Sequence, residues 1–269
     1  MNRRAFLRTL AGASATGAAT AAACAYGEDT HDVEITRVPV QLGLQTPLRL
    51  AVLGDLHFDP VCDEAYLAHV VSLVNGLQPD LIAYTGDFVT SRLDRVRDLT
   101  DILAGAQAPL GAYAIEGNHE FWTNVAYIQA MLDRHAGVRM LRNASLPLHG
   151  EDNVYLTGLD SFSVGAPRPG VLDLTPPDAR HLLLVHEPDS FPQLTDARIR
   201  LQISGHTHGG QVRLPFYGAL VLPKWGRDYQ QGLYTADDGR QLYVNRGIGT
   251  LGYHFRFNCR PEITLFELT

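Results

Sequence analysis

Apolar positions first become regular at Pro47. In "LRLAVLGDLH" a short apolar run ends in Gly-Asp, the pattern of a buried strand entering a polar turn. "EAYLAHVVSLVNGLQPD" spaces its apolar residues at helical intervals and stops at Gly76 and Pro79, which predicts a helix. "DLIAYTGDF" predicts a second strand, again ending in Gly-Asp. A helix is expected around Leu93 to Ala106, a strand in "GAYAIEGNHE", and a helix over residues 123 to 136. Shorter strand-like runs follow at Val138 to Leu148 and Val154 to Leu159. "RHLLLVHEPD" and "RIRLQISGHTH" read as strands that run into histidines. The last third, with "LYTADDGRQLYVNRG" and "EITLFEL", mixes β-forming residues with turn signals.

Strand–helix–strand units followed mostly by strands predict an α/β fold, a layered sandwich of mixed sheets with outer helices. No repeat or low-complexity tract interrupts residues 47 to 269, so residues 27–269 read as a single domain.

Residues 1–26 follow different rules. "NRRAFLR" is a charged stretch with paired arginines before Phe-Leu, and "TLAGASATGAATAAACA" is uncharged and rich in small residues. This resembles a twin-arginine export signal, which implies an exported protein handled by the twin-arginine machinery. Three endings are open: lipidation at Cys24, cleavage at an A-x-A site, or an uncleaved anchor. Cys62 and Cys259 would either pair in an oxidising compartment or stay as two buried thiols. The formal charge of −7 falls to −10 without Arg3, Arg4 and Arg8, which is the wrong sign for binding a polyanion. Nucleic acid is therefore not the expected partner.

The polar ends of the strands hold the candidate chemistry: Asp55 with His57, Asp87, then Asn118-His119-Glu120, His186, and His206 with His208. Asp55 and Asp87 are 32 residues apart, and Asp87 and Asn118 are 31 apart, close to the length of one strand–helix–strand unit. Parallel strands joined by right-handed crossovers bring their C-terminal ends to one edge, where these clusters should meet. Carboxylates mixed with neutral imidazoles suit manganese, zinc or iron, in a site for two divalent cations.

"GDLH", "GDF", "GNHE", "HEPD" and "GHTHGGQ", in this order and spacing over residues 48 to 267, resemble the calcineurin-like metallophosphoesterase superfamily. The last block and the export signal are similar to its bacterial envelope-associated branch, which includes UDP-2,3-diacylglucosamine-type hydrolases. The resemblance implies a four-layer α/β/β/α sandwich. It also assigns Asp55, His57 and His208 to one metal, Asn118, His186 and His206 to the other, and Asp87 to both. His119 matches the proton donor, and Glu120 sits where an acidic neighbour would orient it. The implied reaction is hydrolysis of a phosphodiester or pyrophosphate by a hydroxide bridging the two cations, with a small-molecule or lipid-linked substrate. Other readings are an envelope nucleotide or glycerophosphodiester phosphodiesterase, and an exported metal-binding protein without turnover.

His31, His69, His135, His149 and His181 read as ordinary surface or core histidines. Arg246 and His254 lie in loops that could reach the site. Arg213 to Arg227, "RLPFYGALVLPKWGR", reads first as a buried hairpin with a basic edge and second as peripheral contact with lipid.

Overall fold

The computed structural model describes residues 30–58, 62–148, 153–252 and 254–269. The paired arginines, the small-residue tract, Cys24 and His149 lie outside them. The first strand among the described residues is one that the hydrophobic pattern did not show, β1 (Glu34–Val40). Then β2 (Leu48–Leu53), α1 (Glu64–Gly76), β3 (Leu81–Tyr84), α2 (Val96–Leu103) and β4 (Ala112–Ala114) alternate as expected. Asp63 caps α1 by accepting from the Tyr66 amide at 2.9 Å. The helix expected over residues 123–136 starts at Val125 and changes to a π turn in its last five residues. A short α3 (Asn118–Trp122) ends at Thr123, Asn124 caps α4 (Val125–Met131), and a π turn over Leu132–Ala136 closes on left-handed Gly137.

β5 (Val138–Met140) forms one edge of the first sheet. The chain then crosses to a second sheet through β6 (Ala144–Pro147), β7 (Val154–Gly158), β8 (Arg180–Leu184) and β9 (Ile199–Ser204). A small hairpin, β10 (Arg213–Leu214) and β11 (Gly218–Ala219), stands apart from both sheets. β12 (Gly232–Thr235) and β13 (Gln241–Val244) finish the second sheet, and β14 (Glu262–Leu268) returns to the first.

The spatial orders are β1-β14-β2-β3-β4-β5 and β12-β13-β9-β8-β7-β6. β2 to β5 run parallel, as do β7, β8, β9 and β13, while β14 against β2, β6 against β7 and β12 against β13 are antiparallel. Both sheets are mixed. Between them Val52, Leu81, Ile115, Leu156, Leu182, Leu201 and Phe266 are buried, each stabilising by roughly 1.5–3 kcal/mol. On the outer face of the first sheet, Leu67 and Val70 of α1, Leu99 of α2 and Ile128 of α4 pack on Leu53, Ile82 and Tyr84.

The outer face of the second sheet is covered differently. Val171 and Leu172 from a 3-10 turn over Pro169–Leu174 pack on Leu183 and Ile199. That outer layer is built of short 3-10 turns among the described residues, Pro169–Leu174 and Pro188–Gln193, and in the second Pro192 lies inside the turn, where it lacks the amide a longer helix needs. Cys62 and Cys259 are both buried and no disulfide joins them, so the pairing considered from the sequence does not form. Among the described residues, no helix is long and apolar enough to cross a membrane.

Candidate metal centre

Each parallel strand hands its polar residues to the same edge. Asp55 and His57 follow β2, Asp87 follows β3, Asn118 and His119 open α3, His186 follows β8, and His206 and His208 follow β9. Their donor atoms form three groups, each spanning no more than 4.8 Å: Asp55, His57 and His208; His57, Asp87 and His119; Asp87, His186 and His206. Asp87 Oδ2 lies 3.6 Å from His57 Nε2 and 3.2 Å from His186 Nε2, so it stands between the two outer groups.

The backbone is bent to achieve this. Asp55 (φ 49°), His57 (φ 42°), Asp87 (φ 54°), His206 (φ 72°) and His208 (φ 51°) all take left-handed conformations, which cost on the order of 1 kcal/mol or more each for non-glycine residues. Hydrogen bonds between neighbouring loops offset the strain. The Asp55 and His57 amides donate to the Gly86 and Asp87 carbonyls at 3.0 Å, and the His206 amide donates to Asp55 Oδ1 at 2.9 Å. Two glycines admit the carboxylates. A Cβ at Gly117 would sit 2.2 Å from Asp87 Oδ1, and one at Gly205 would sit 2.5 Å from Asp55 Oδ2.

Backbone carbonyls set the imidazole tautomers. His186 Nδ1 donates to Thr85 O at 2.7 Å, His119 Nδ1 to Thr90 O at 2.6 Å, and His206 Nε2 to Lys224 O at 2.8 Å. A carbonyl only accepts, so each of these nitrogens bears the hydrogen, and the opposite nitrogen of a neutral ring presents a lone pair. His186 Nε2 and His206 Nδ1 then face each other at 3.2 Å. Among the described residues, His57 Nε2, both His208 nitrogens and Asn118 Oδ1 are buried with no hydrogen-bond partner. A neutral ring offers one lone pair, so His57, His208 and Asn118 each present a buried acceptor left unmatched, which is costly and which divalent cations would satisfy. The residues present fit such an ion.

Protonation follows the same logic. Burial pushes the Asp55 carboxyl up to about 7 and the His57 imidazole down to about 3. Burial also opposes charge on Asp87 and His186. Their mutual attraction outweighs it, holding Asp87 well below the usual carboxylate range and His186 well above the imidazole range. A cation would replace that proton on His186 and favour ionised Asp55.

Glu120 corrects one expectation. Its carboxylate accepts from the amides of Asp87 and Phe88 at 2.9 Å and of Gly117 at 2.8 Å. It therefore pins two ligand loops together, and the Thr90 carbonyl, not Glu120, fixes the His119 ring.

Arg246 spends its guanidinium on Glu262 at 2.9 Å and Glu34 at 3.1 Å, away from the donor cluster, and His254 is exposed. The segment from Arg213 to Arg227 is not a buried hairpin, since Phe216 and Tyr217 at its tip project into solvent.

Other contributors left little trace in the sequence. The Thr85, Thr90 and Lys224 carbonyls act through the main chain, which has no residue signature. Arg256 is fully buried and donates to the carbonyls of Arg246, Gly247 and Gly249, tying down the loop against Asp55. Trp122 is 64% exposed, with its ring 4.7 Å from that of His119.

A pocket of about 520 Å³ opens beside His206 and His208. Val212, Leu220, Val221, Pro223, Leu251 and Phe255 make its walls apolar. Gln211 joins those walls by bonding both the amide and the carbonyl of Leu251.

The family model for calcineurin-like phosphoesterases matches residues 48–210, the span holding every one of these donor residues. The chain belongs to the calcineurin-like phosphoesterase family. Such a phosphoesterase is a hydrolase with a divalent metal centre. This member is 33% identical to an uncharacterized metallophosphoesterase of Bacillus subtilis, YkuE, over 100% of this chain and 98% of that protein. It is 30% identical to the phosphodiesterase YaeI of Escherichia coli, over 82% of each chain. To the UDP-2,3-diacylglucosamine pyrophosphatase LpxG of Chlamydia trachomatis it is 28% identical, over 82% of this chain and 83% of that one.

Proposed function

We propose that this calcineurin-like phosphoesterase is an exported enzyme that hydrolyses a phosphodiester or pyrophosphate bond, using two divalent cations. Asp55, His57 and His208 would hold one, Asn118, His186 and His206 the other, and Asp87 both. The observation that carries this reading is the meeting of Asp87 Oδ2 with both outer groups, beside buried lone pairs on His57, His208 and Asn118 that nothing else satisfies. Nitrogen and oxygen donors together suit manganese, zinc or iron. When bound, such cations supply a nucleophile at neutral pH and neutralise charge that develops on the phosphoryl group.

The chain's own groups do the rest. His119 is tethered through Nδ1 to Thr90 O, which leaves Nε2 to donate a proton to the departing oxygen, a role worth about 10²–10⁴-fold. Its amide also donates to Asp87 Oδ1 at 3.0 Å, so the proton donor and the shared carboxylate are positioned as one unit. Glu120 holds that unit from below by fixing the Asp87, Phe88 and Gly117 amides.

The preference for a diester or pyrophosphate rests on similarity to YaeI and LpxG. The apolar pocket beside His206 and His208 supports a substrate with a lipid-like part. Export rests on Arg3-Arg4 and the small-residue tract after them. A second reading, a nucleotide diesterase, is favoured by the exposed Trp122 ring beside His119, where a base could stack.

The test is hydrolysis of bis-p-nitrophenyl phosphate and p-nitrophenyl phosphate by the purified protein with manganese, zinc or iron. The diester should be cleaved faster, and a chelator should stop the reaction. Metal bound without hydrolysis, across metals and pH, would overturn the enzyme reading. Comparing a sugar nucleotide with and without its acyl chains then separates the lipid-like substrate from the nucleotide.

A further inference from the structure

Among the described residues, exposed large apolar side chains concentrate in one hairpin and the residues just after it, from Leu214 to Val221. β10 and β11 pair through Arg213 with Ala219 and Leu214 with Gly218, leaving Pro215, Phe216 and Tyr217 as a tight tip. The tip is fixed by the Tyr217 amide donating to Leu214 O at 3.2 Å, and it holds Phe216 in the left-handed region at φ 66°. Phe216 is fully exposed, and Tyr217, Leu220 and Val221 are 75%, 49% and 71% exposed. A soluble surface does not usually display four such side chains together.

The surrounding charge is as uneven. No Asp or Glu occurs between Asp196 and Asp228, in a chain of formal charge −7. This acid-free stretch contains Arg213, Lys224 and Arg227, and Lys224 is the only lysine of the protein. Lys224 and Arg227 are exposed, and among the described residues neither makes an ion pair. Asp189 lies close by, but its carboxylate is occupied by the amides of Arg227, Asp228 and Tyr229. The Lys224 carbonyl in turn accepts from His206, so the basic end of the segment is joined to the metal centre.

We propose that the Phe216 hairpin is a docking element for an anionic lipid surface. Phe216 and Tyr217 enter the interface, while Lys224 and Arg227 meet negatively charged headgroups. Apolar residues flanked by cations are what such an interface takes up. Docked in this way, the mouth of the apolar pocket between Leu220, Val221 and Leu251 would face the bilayer. The inference concerns location rather than chemistry, and it holds whichever phosphoester the centre cleaves.

The single lysine gives a direct readout. The full chain is labelled with an amine-reactive probe, and modification of Lys224 is followed by mass spectrometry. Labelling is compared without vesicles, with phosphatidylcholine vesicles, and with vesicles containing phosphatidylglycerol. The anionic vesicles should slow labelling of Lys224 several-fold, and phosphatidylcholine should have little effect. In the double variant Phe216→Ser, Tyr217→Ser the affinity for anionic vesicles should fall about tenfold or more, as expected for withdrawing large apolar side chains. Its hydrolysis of a soluble diester should stay at the parent rate, which excludes misfolding. Equal labelling with and without anionic vesicles would overturn the proposal. So would protection that depends on protein concentration alone, since the hairpin would then contact a second copy of the chain.

Discussion

His186 Nε2 and His206 Nδ1 lie 3.2 Å apart, while the other nitrogen of each ring donates to a backbone carbonyl. Two neutral imidazoles so tethered aim lone pairs at one point, and only a proton or a cation can sit there. The site therefore couples metal binding to stability. Manganese at a hundred times its dissociation constant should stabilise the folded chain by about 2.7 kcal/mol. Calorimetry should show the melting temperature rising with added metal and falling with a chelator. His206→Ala should blunt the response.

His119→Gln should separate substrates by leaving group. An alkyl diester needs its departing oxygen protonated, and its turnover should drop about 10²–10⁴-fold. A p-nitrophenyl diester leaves without that help and should lose far less. Equal losses on both substrates would show that His119 serves another purpose.

Glu120→Gln should behave differently. Glutamine keeps one acceptor oxygen and turns an NH₂ toward amides that are themselves donors, so at least one of the three bonds is lost. A buried donor left unsatisfied costs about 1–3 kcal/mol, and a displaced support of metal ligands typically costs about 10–100-fold in affinity or activity. Both losses should appear in denaturation and metal titration. The contrast between alkyl and p-nitrophenyl substrates should persist, because His119 keeps its Thr90 tether.

His181 makes an acid-sensitive contribution away from the metal centre. It is buried between the Thr157 and Thr175 hydroxyls, at 2.8 and 3.1 Å, and burial first, then Arg198, lowers its imidazole to about 4. The folded state therefore keeps this ring neutral while the unfolded chain protonates it near its ordinary value of about 6.5. Its contribution is fully present above 6.5 and is lost as pH falls from there through 4. Melting curves across this interval should flatten in His181→Gln relative to the parent, although the variant is less stable at neutral pH.

The parallel framework was legible because its evidence is local. Apolar runs ending in Gly-Asp gave β2 and β3, and the helical spacing of "EAYLAHVVSLVNG" gave α1 almost to the residue. β1 escaped notice because "EITRVPV" is half-exposed and, among the described residues, pairs with β14 alone, more than two hundred residues away. The helix expected through residues 123–136 runs from Val125 to Ala136, but the separate turn before it, Asn118 to Trp122, which aims Asn118 and His119 at the centre, has no apolar periodicity to announce it. Glu120 was placed by adjacency in sequence. Its actual partners, the Asp87 and Phe88 amides, come from another loop.

The sequence alone determined which residues could bind a cation, since donor chemistry belongs to each side chain and the strand-end spacing is set by the length of one crossover. The tertiary structure decided what no single segment contains. Those decisions include the tautomers of His119, His186 and His206, the main-chain role of Glu120 and the exposure of the Phe216 hairpin. Each depends on which backbone groups and which solvent a side chain meets after distant loops come together, and only packing fixes that.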